Sequence, residues 1–153
     1  MNETHKSEAV FCCVSEKAIE ISDAYQFIQS ETAGGINFFV GTIRNHNEGK
    51  KVESLEYHIY DDMVVKEFYK IIDEASAQWP VEKIYVNHRK GALNIGDVAV
   101  IVAVSTVHRS EAFEACRYII DELKHRAPIW KKEITTEGVF WVEGCEHKHA
   151  GRN

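Results

Sequence analysis

Apolar positions along this chain alternate between a strand rhythm and a helix rhythm, and the rhythm changes at each polar break. Ala9 to Val14 is a short apolar run and predicts a strand. Ser22 predicts the cap of a helix from Asp23 to about Ser30, with Ala24, Phe27 and Ile28 turned inward. Gly35 to Arg44 is β-branched and aromatic behind glycine, the pattern of a buried strand. A polar, glycine-containing loop from Arg44 to Lys50 follows, and then the half-alternating run Lys51 to Tyr60. The two runs and the loop predict a hairpin.

Asp61 or Asp62 predicts the cap of a helix from Met63 to Trp79, whose inward stripe is Val64, Phe68, Ile71, Ile72, Ala75 and Trp79, and Pro80 stops it. Lys83 to His88 predicts a strand and Gly91 to Gly96 a loop. Asp97 to Val107 is almost wholly apolar, so both of its faces should be covered. Ser110 predicts the cap of a helix from Glu111 to about Arg126, with Phe113, Cys116, Ile120 and Leu123 inward. Pro128 forces an exit from that helix, and Ile129 to Ile134 and Val139 to Val142 predict two short strands. Hairpins mixed with isolated helices indicate an α+β fold, a mixed or antiparallel sheet with packed helices in one domain spanning 1–153. The polar ends, 1–8 and 144–153, are expected to be flexible.

The chain is acidic overall, with a formal net charge of −6, which argues against general nucleic-acid binding. No apolar run reaches the roughly 18 residues of a membrane helix, and the first residues do not have the build of a signal peptide. Cys12, Cys13, Cys116 and Cys145 show no C-x-x-C spacing and read as reduced thiols of a cytoplasmic protein.

Against that acidic background, the stretch from Ser105 to Glu133 gathers His108, Arg109, Lys124, His125, Arg126, Lys131 and Lys132. Such a cluster suits a specific anion. His108 and Arg109 follow a buried strand and precede a helix N-terminus, whose free N–H groups and dipole favour phosphate. A turn histidine bonded to backbone is the plainer reading. Lys124 and Lys131 flank Pro128, which lets the chain fold back so that both can face one pocket. Either becomes a useful base or nucleophile only if its pKa is lowered. Arg109, Arg126 and Lys132 are candidate sources of the required positive charge, while the helix C-terminus opposes it. A solvated basic helix end is the alternative. Arg44, at a strand-to-loop junction, is an anion clamp if it points inward. Cys145, His147 and His149 form only a weak metal pattern, and neither a metal nor a cofactor is assigned. Phosphate-loop, dinucleotide and nucleophile-elbow motifs are absent.

Several segments, in order and at similar spacing, resemble the large, catalytic subunit family of molybdopterin synthase. They are Phe39-Val-Gly-Thr-Ile-Arg-Asn-His-Asn47, Ser54-Leu-Glu-Tyr57, Trp79-Pro80, His88-Arg89, His108-Arg109 and Leu123-Lys-His-Arg-Ala-Pro-Ile-Trp-Lys-Lys-Glu133. The resemblance covers about Ala33 to Glu143. It implies an α/β hammerhead-type fold and a homodimer core in a heterotetramer. It also implies a small ubiquitin-like partner whose C-terminal Gly-Gly thiocarboxylate enters a pocket of the large subunit. Two sulfurs would then pass to cyclic pyranopterin monophosphate, forming the dithiolene of molybdopterin.

By this resemblance Lys124 and Lys131 are the catalytic lysines. Lys124 would serve proton transfer or electrophilic stabilisation at the thiocarboxylate carbonyl, and Lys131 would hold the pterin. Thr42, Ile43, Arg44, His108, Arg109, Lys132 and Glu133 join them in substrate binding. One departure stands in the tail. A further basic residue reaching a neighbouring subunit's site is expected near Cys145, where the sequence is Gly144-Cys145-Glu146; Lys148 or Arg152 substitutes, or the contact is missing. The functional alternative is a non-catalytic module that binds a ubiquitin-like Gly-Gly tail.

Overall fold

The apolar run near residue 100 lies where its composition requires, inside a sheet covered on both faces. The computed structural model describes residues 4–6 and 8–143, with side chains from 8 to 142. In chain order the elements are β1 (Thr4–Lys6), β2 (Val10–Ser15), α1 (Ile21–Ile28), β3 (Gly35–Thr42), β4 (His46–Asn47), β5 (Lys50–Ile59) and α2 (Asp61–Gln78). Then come β6 (Val81–Arg89), β7 (Gly91–Asn94), β8 (Val98–Thr106), α3 (Arg109–Arg126), β9 (Ile129–Thr135) and β10 (Gly138–Glu143). The cysteine and histidines of the tail, with Lys148 and Arg152, lie outside the described residues.

The first sheet has the order β1-β2-β6-β8-β3, antiparallel except for the parallel pair β2 and β6. Strand alternation divides β8 between two cores. Val100, Val102 and Val104 pack with Val64, Phe68 and Ile72 of α2 and Ala115, Ile119 and Leu123 of α3. Ile101 and Ala103 face the other way, onto Ala24 and Ile28 of α1. A helix on each side therefore removes the whole strand from water, and the continuous apolar run needs no polar face.

The second sheet has the order β10-β9-β5-β4, with β7 also paired to β5, all antiparallel. Its inner residues Leu55, Tyr57 and Ile129 join the larger core, so the second sheet closes over one end of the first. A register shift between Val52 and Ser54 re-phases β5, which is how Val52 and Leu55 both point inward although three positions apart.

The α+β architecture is as the sequence indicates, with several local corrections. The predicted hairpin of β3 with β5 does not form: β3 pairs with β8 in one sheet, and β5 pairs with β9 and β7 in the other. The loop between them instead folds its own short ladder, His46 and Asn47 against Lys51 and Lys50. The predicted loop from Gly91 to Gly96 contains β7. All three helices start two residues before the predicted first residues, at Ile21, Asp61 and Arg109 rather than Asp23, Met63 and Glu111. Glu20, Tyr60 and His108 occupy the N-cap positions without side-chain caps, which leaves Ser22, Asp61, Asp62 and Ser110 inside first turns. Phe113, expected inward, is 60% exposed, and Trp79 is only partly buried. Among the described residues no helix is long and apolar enough to cross a membrane.

Candidate active site

Strand register sorts the sequence-predicted residues into two groups. In the β3–β8 ladder, Gly35 lies opposite Thr106 and Thr42 opposite Val98. The chain turns directly from β8 into α3, which runs back over β3 and β8. His108 and Arg109 therefore stand at the Gly35 end, and Lys124 stands near the Thr42 end. Fifteen helical steps separate Arg109 from Lys124, a rise of about 22 Å. The Gly35 end is tight. A Cβ on Gly34 would meet the Val107 carbonyl oxygen at 2.5 Å, and one on Gly35 would meet the Arg109 Cα at 2.9 Å. Glycine at both positions lets β3 begin directly against the turn that carries the pair. Both side chains of the pair are exposed and border a cleft with Val107, Ser110 and Phe113.

At the Thr42 end, Ile43 is pinned by two backbone bonds. Its N–H donates to the Asp97 carbonyl at 3.0 Å, and its carbonyl accepts from Gly96 at 2.8 Å. Asn45 is held in turn, its carbonyl accepting from Val52 at 2.9 Å. Arg44 lies between these two anchored residues, where the chain passes from one sheet to the other, and its side chain is exposed. Thr42 is exposed beside it, and Ile43 is buried core rather than pocket lining.

The lysines flank a buried pair of rings. In the β5–β9 ladder Lys131 lies opposite Tyr57 and Glu133 opposite Leu55, all on the inner face. Glu133 is 4% exposed. Its Oε2 accepts from Asn47 Nδ2 at 2.8 Å and lies 3.3 Å from Lys131 Nζ. Glu133 therefore holds Lys131 and is already committed to cationic and amide donors. Tyr57 meets His88 edge to face, with ring centroids 4.9 Å apart. Burial, and secondarily the Glu133 charge, push the Tyr57 phenol up to about 12, so it stays protonated.

His88, at the end of β6, is 1% exposed. Its Nδ1 lies 2.8 Å from the Arg89 carbonyl oxygen, and a carbonyl only accepts, so Nδ1 carries the proton. Burial drives the imidazole pKa down to about 3, the Lys124 charge pushes the same way, and the backbone bond opposes both. The Lys124 charge thus reaches His88 from α3, and Lys131 on β9 lies opposite Tyr57, the ring neighbour of His88. Neither ring stood among the sequence-predicted site residues. The available signal was polarity out of place: His88 follows Ile84 and Val86 on the inward parity of a strand.

The neutral His88 has a consequence for stability. An unfolded histidine titrates near 6.5, whereas this one refuses a proton down to about 3. As pH falls below 6.5 the unfolded chain binds a proton that the folded chain does not, so stability is lost across that window. The loss is at most about 1.4 kcal/mol per pH unit. Denaturant midpoints measured from pH 7 to pH 4.5 should fall more steeply for the wild type than for His88→Gln. Equal slopes would mean that His88 is not the group responsible.

The remaining predicted cations are engaged or placed elsewhere. Arg126 binds Glu67 at 2.8 Å, Glu74 at 2.6 Å and Glu122 at 3.2 Å, so three carboxylates neutralise it while it ties α3 to α2. The side-chain bonds, that to Glu74 first, hold its guanidinium pKa well above normal. Arg109 is at the far end. Lys132 points to the outer face of β9, opposite in sense to Lys131, with its ammonium 5.9 Å from the Trp141 ring centroid. A cation absent from the predicted set, Arg89, sits at the Thr42 end, 18% exposed and 3.5 Å from Asp97. Among the described residues no group of histidine, cysteine, aspartate and glutamate side chains could hold a metal ion.

A site of fixed cations at the junction of two sheets, backed by a buried neutral imidazole and a protonated phenol, suits a reaction in which negative charge moves. The comparisons agree with the resemblance drawn from sequence. The family model described as MoaE protein matches residues 14–126. The molybdopterin synthase catalytic subunit of Pyrococcus abyssi is 46% identical over 127 residues, 83% of this chain and 86% of that protein. The crystal structure of molybdopterin synthase from Staphylococcus aureus superposes with a TM-score of 0.82 at 35% identity, covering 90% of this chain and 98% of that one. A protein–protein complex of subunits 1 and 2 of molybdopterin-converting factor from Helicobacter pylori shares the fold, with a TM-score of 0.70 at 22% identity over 84% of this chain and 88% of that one. The chain belongs to the MoaE family, that of the molybdopterin synthase catalytic subunits.

Proposed function

We propose that this chain takes two sulfurs, in successive steps, from the C-terminal thiocarboxylate of a small ubiquitin-like subunit and delivers them to cyclic pyranopterin monophosphate, in the cytoplasm. The observation that carries the reading is the approach of α3, through Lys124, and β9, through Lys131, to one buried ring pair at the end of the sheet from which Arg44 projects. Each tail carries one sulfur, so two copies of the small subunit act in turn. In each transfer a C–S bond of the tail is exchanged for a C–O bond and a C–O bond of the pterin for a C–S bond, so charge shifts between sulfur, carbonyl oxygen and pterin. Cations held in place before the reaction stabilise that charge without reorganising. Lys124, on the helix end, serves the thiocarboxylate carbonyl. Lys131, braced by Glu133, serves the pterin, and Arg44 its phosphate. Glu133 acts through Lys131 rather than by touching an anionic substrate. The sulfur comes from the partner, so Cys12, Cys13 and Cys116 need no catalytic role. All three are buried, and burial raises the thiol pKa of Cys12 and Cys116.

His108 and Arg109 belong to the same chemistry only through a second copy of the chain. A rise of about 22 Å from Arg109 to Lys124 is too long for one small substrate to span. The far edge of β3 has no strand partner among the described residues, and the apolar side chains Ile36, Phe39, Val107 and Phe113 are exposed near it. A two-fold axis perpendicular to that edge strand would set the Gly35 end of one chain against the Thr42 end of the other, so each pair would face the other protomer's lysines.

Product formation tests the reading. The chain, a thiocarboxylated small subunit and the cyclic pterin are mixed, and molybdopterin is assayed as its fluorescent oxidation product. Product requiring all three components is expected. Tail binding without product would instead leave a binding module.

A further inference from the structure

We propose that Asn47 is a positioning residue for Lys131: its side-chain amide orients the Glu133 carboxylate, which in turn holds the Lys131 ammonium where sulfur transfer needs it. This rests on the reading that Lys131 acts in that transfer.

Three observations support it. First, the links are direct. Asn47 Nδ2 donates to Glu133 Oε2 at 2.8 Å, and the same oxygen lies 3.3 Å from Lys131 Nζ. Second, the backbone that carries the amide is fixed. The chain reverses between β4 and β5 in two residues, Glu48 with φ 51° and Gly49 with φ 80°, and Asn47 pairs across that turn with Lys50. Positive φ at both central residues matches the twist of a tight hairpin. Glu48 is the one residue other than glycine with positive φ among the described residues, and the ladder on either side holds it there. On the other side, the Asn45 carbonyl accepts from the Val52 N–H at 2.9 Å. Third, an uncharged donor is the group this place requires. Lys131 ends a flexible stem, and Glu133 shares its strand, so that pair alone leaves several arrangements open. A carboxylate only accepts, and Glu133 is 4% exposed, so donors rather than water set its orientation. The asparagine amide comes from another strand and selects one arrangement. It carries no charge, so the carboxylate keeps its full charge for the ammonium, whereas a lysine or arginine at position 47 would compete for it.

The test makes Asn47→Leu, of similar volume and without a donor, in the wild type, in Lys131→Ala and in Glu133→Gln. The same three components are used, with kcat and KM for the pterin read at steady state and residual rates by single turnover. In the wild type, Asn47→Leu is expected to lower kcat by about ten- to a hundredfold with KM moved less than about threefold, since a misplaced catalytic group chiefly costs turnover. In Lys131→Ala and in Glu133→Gln it should change the residual rate by less than about twofold, because a residue acting only through this pair has nothing left to position. If Asn47→Leu does not fold, Asn47→Ser replaces it, a hydroxyl too short to reach the carboxylate.

Wild-type turnover in Asn47→Leu would overturn the proposal and leave Lys131's own role standing, as would a loss that persists undiminished in Lys131→Ala. A change confined to KM would overturn it too, and would assign Asn47 to the loop that presents Arg44. Wild-type turnover in Lys131→Ala would remove Lys131 from the chemistry, and Asn47 with it.

Discussion

Alanine at both Lys124 and Lys131 should abolish measurable molybdopterin formation while leaving the small subunit bound. Loss of one preorganised cation or proton donor typically costs about 10²- to 10⁴-fold in turnover. Two lysines acting on one transfer need not multiply, because groups that work as a unit are strongly non-additive. Each single variant should therefore already be severely impaired, and the double variant not much worse.

The single variants should part in stability. Lys131 is the cation beside Glu133, whose side chain is 5% exposed, so Lys131→Ala leaves a buried carboxylate with Asn47 alone. That should cost roughly 1–3 kcal/mol, and Lys131→Ala with Glu133→Gln should recover most of it without recovering activity. Lys124→Ala should unfold close to the wild type, since a long side chain on a helix end is replaced by the best helix former. Single-turnover assays, denaturation midpoints and binding of the small subunit measure the three effects separately. Turnover that survives in the double variant would remove both lysines from the chemistry.

How much of this was readable beforehand depended on range. The β8 strand and the inner stripe of α2 were legible because a run of adjacent residues carries its own periodicity. The pairing of β3 was not, because Gly35–Thr42 carries no signal for whether its partner lies ten residues on or sixty. The nearby Lys51–Tyr60 run looked suitable, and β8 took the place. Arg126 reads in sequence as a free cation at a basic helix end. Two of its three carboxylate partners are on α2, more than fifty residues away, and only the fold brings them together.

Lys132 is a different case. The strand Ile129 to Ile134 was predicted, and alternation along it already separates Lys131 from Lys132. The family motif grouped two neighbouring lysines that the backbone turns apart. Phe113 has helical spacing but stands 60% exposed beside His108 and Arg109. Its apolar side chain belongs to a surface that one chain alone does not explain.

That surface leads to a prediction about assembly. A His108→Ala, Arg109→Ala chain and a Lys124→Ala, Lys131→Ala chain should each be nearly inactive as pure dimers, for different reasons. The first dimer has its lysines but no pair to face them, and the second has the pair but no lysines. In a mixed dimer with cross-chain sites, one site collects all four substitutions and the other is wild type throughout. Random exchange gives half mixed dimers, so total activity should rise from near zero to about a quarter of wild type. Sites built within single chains could not complement at all, because each would keep its own defect. Unfolding and refolding the two chains together, then titrating one against the other, measures this directly, and activity should peak at equal amounts. Phe113→Asp should weaken the dimer and reduce turnover with it, while both sets of charged residues remain intact. A flat titration would return His108 and Arg109 to a site of their own at the N-terminus of α3, about 22 Å along that helix from Lys124.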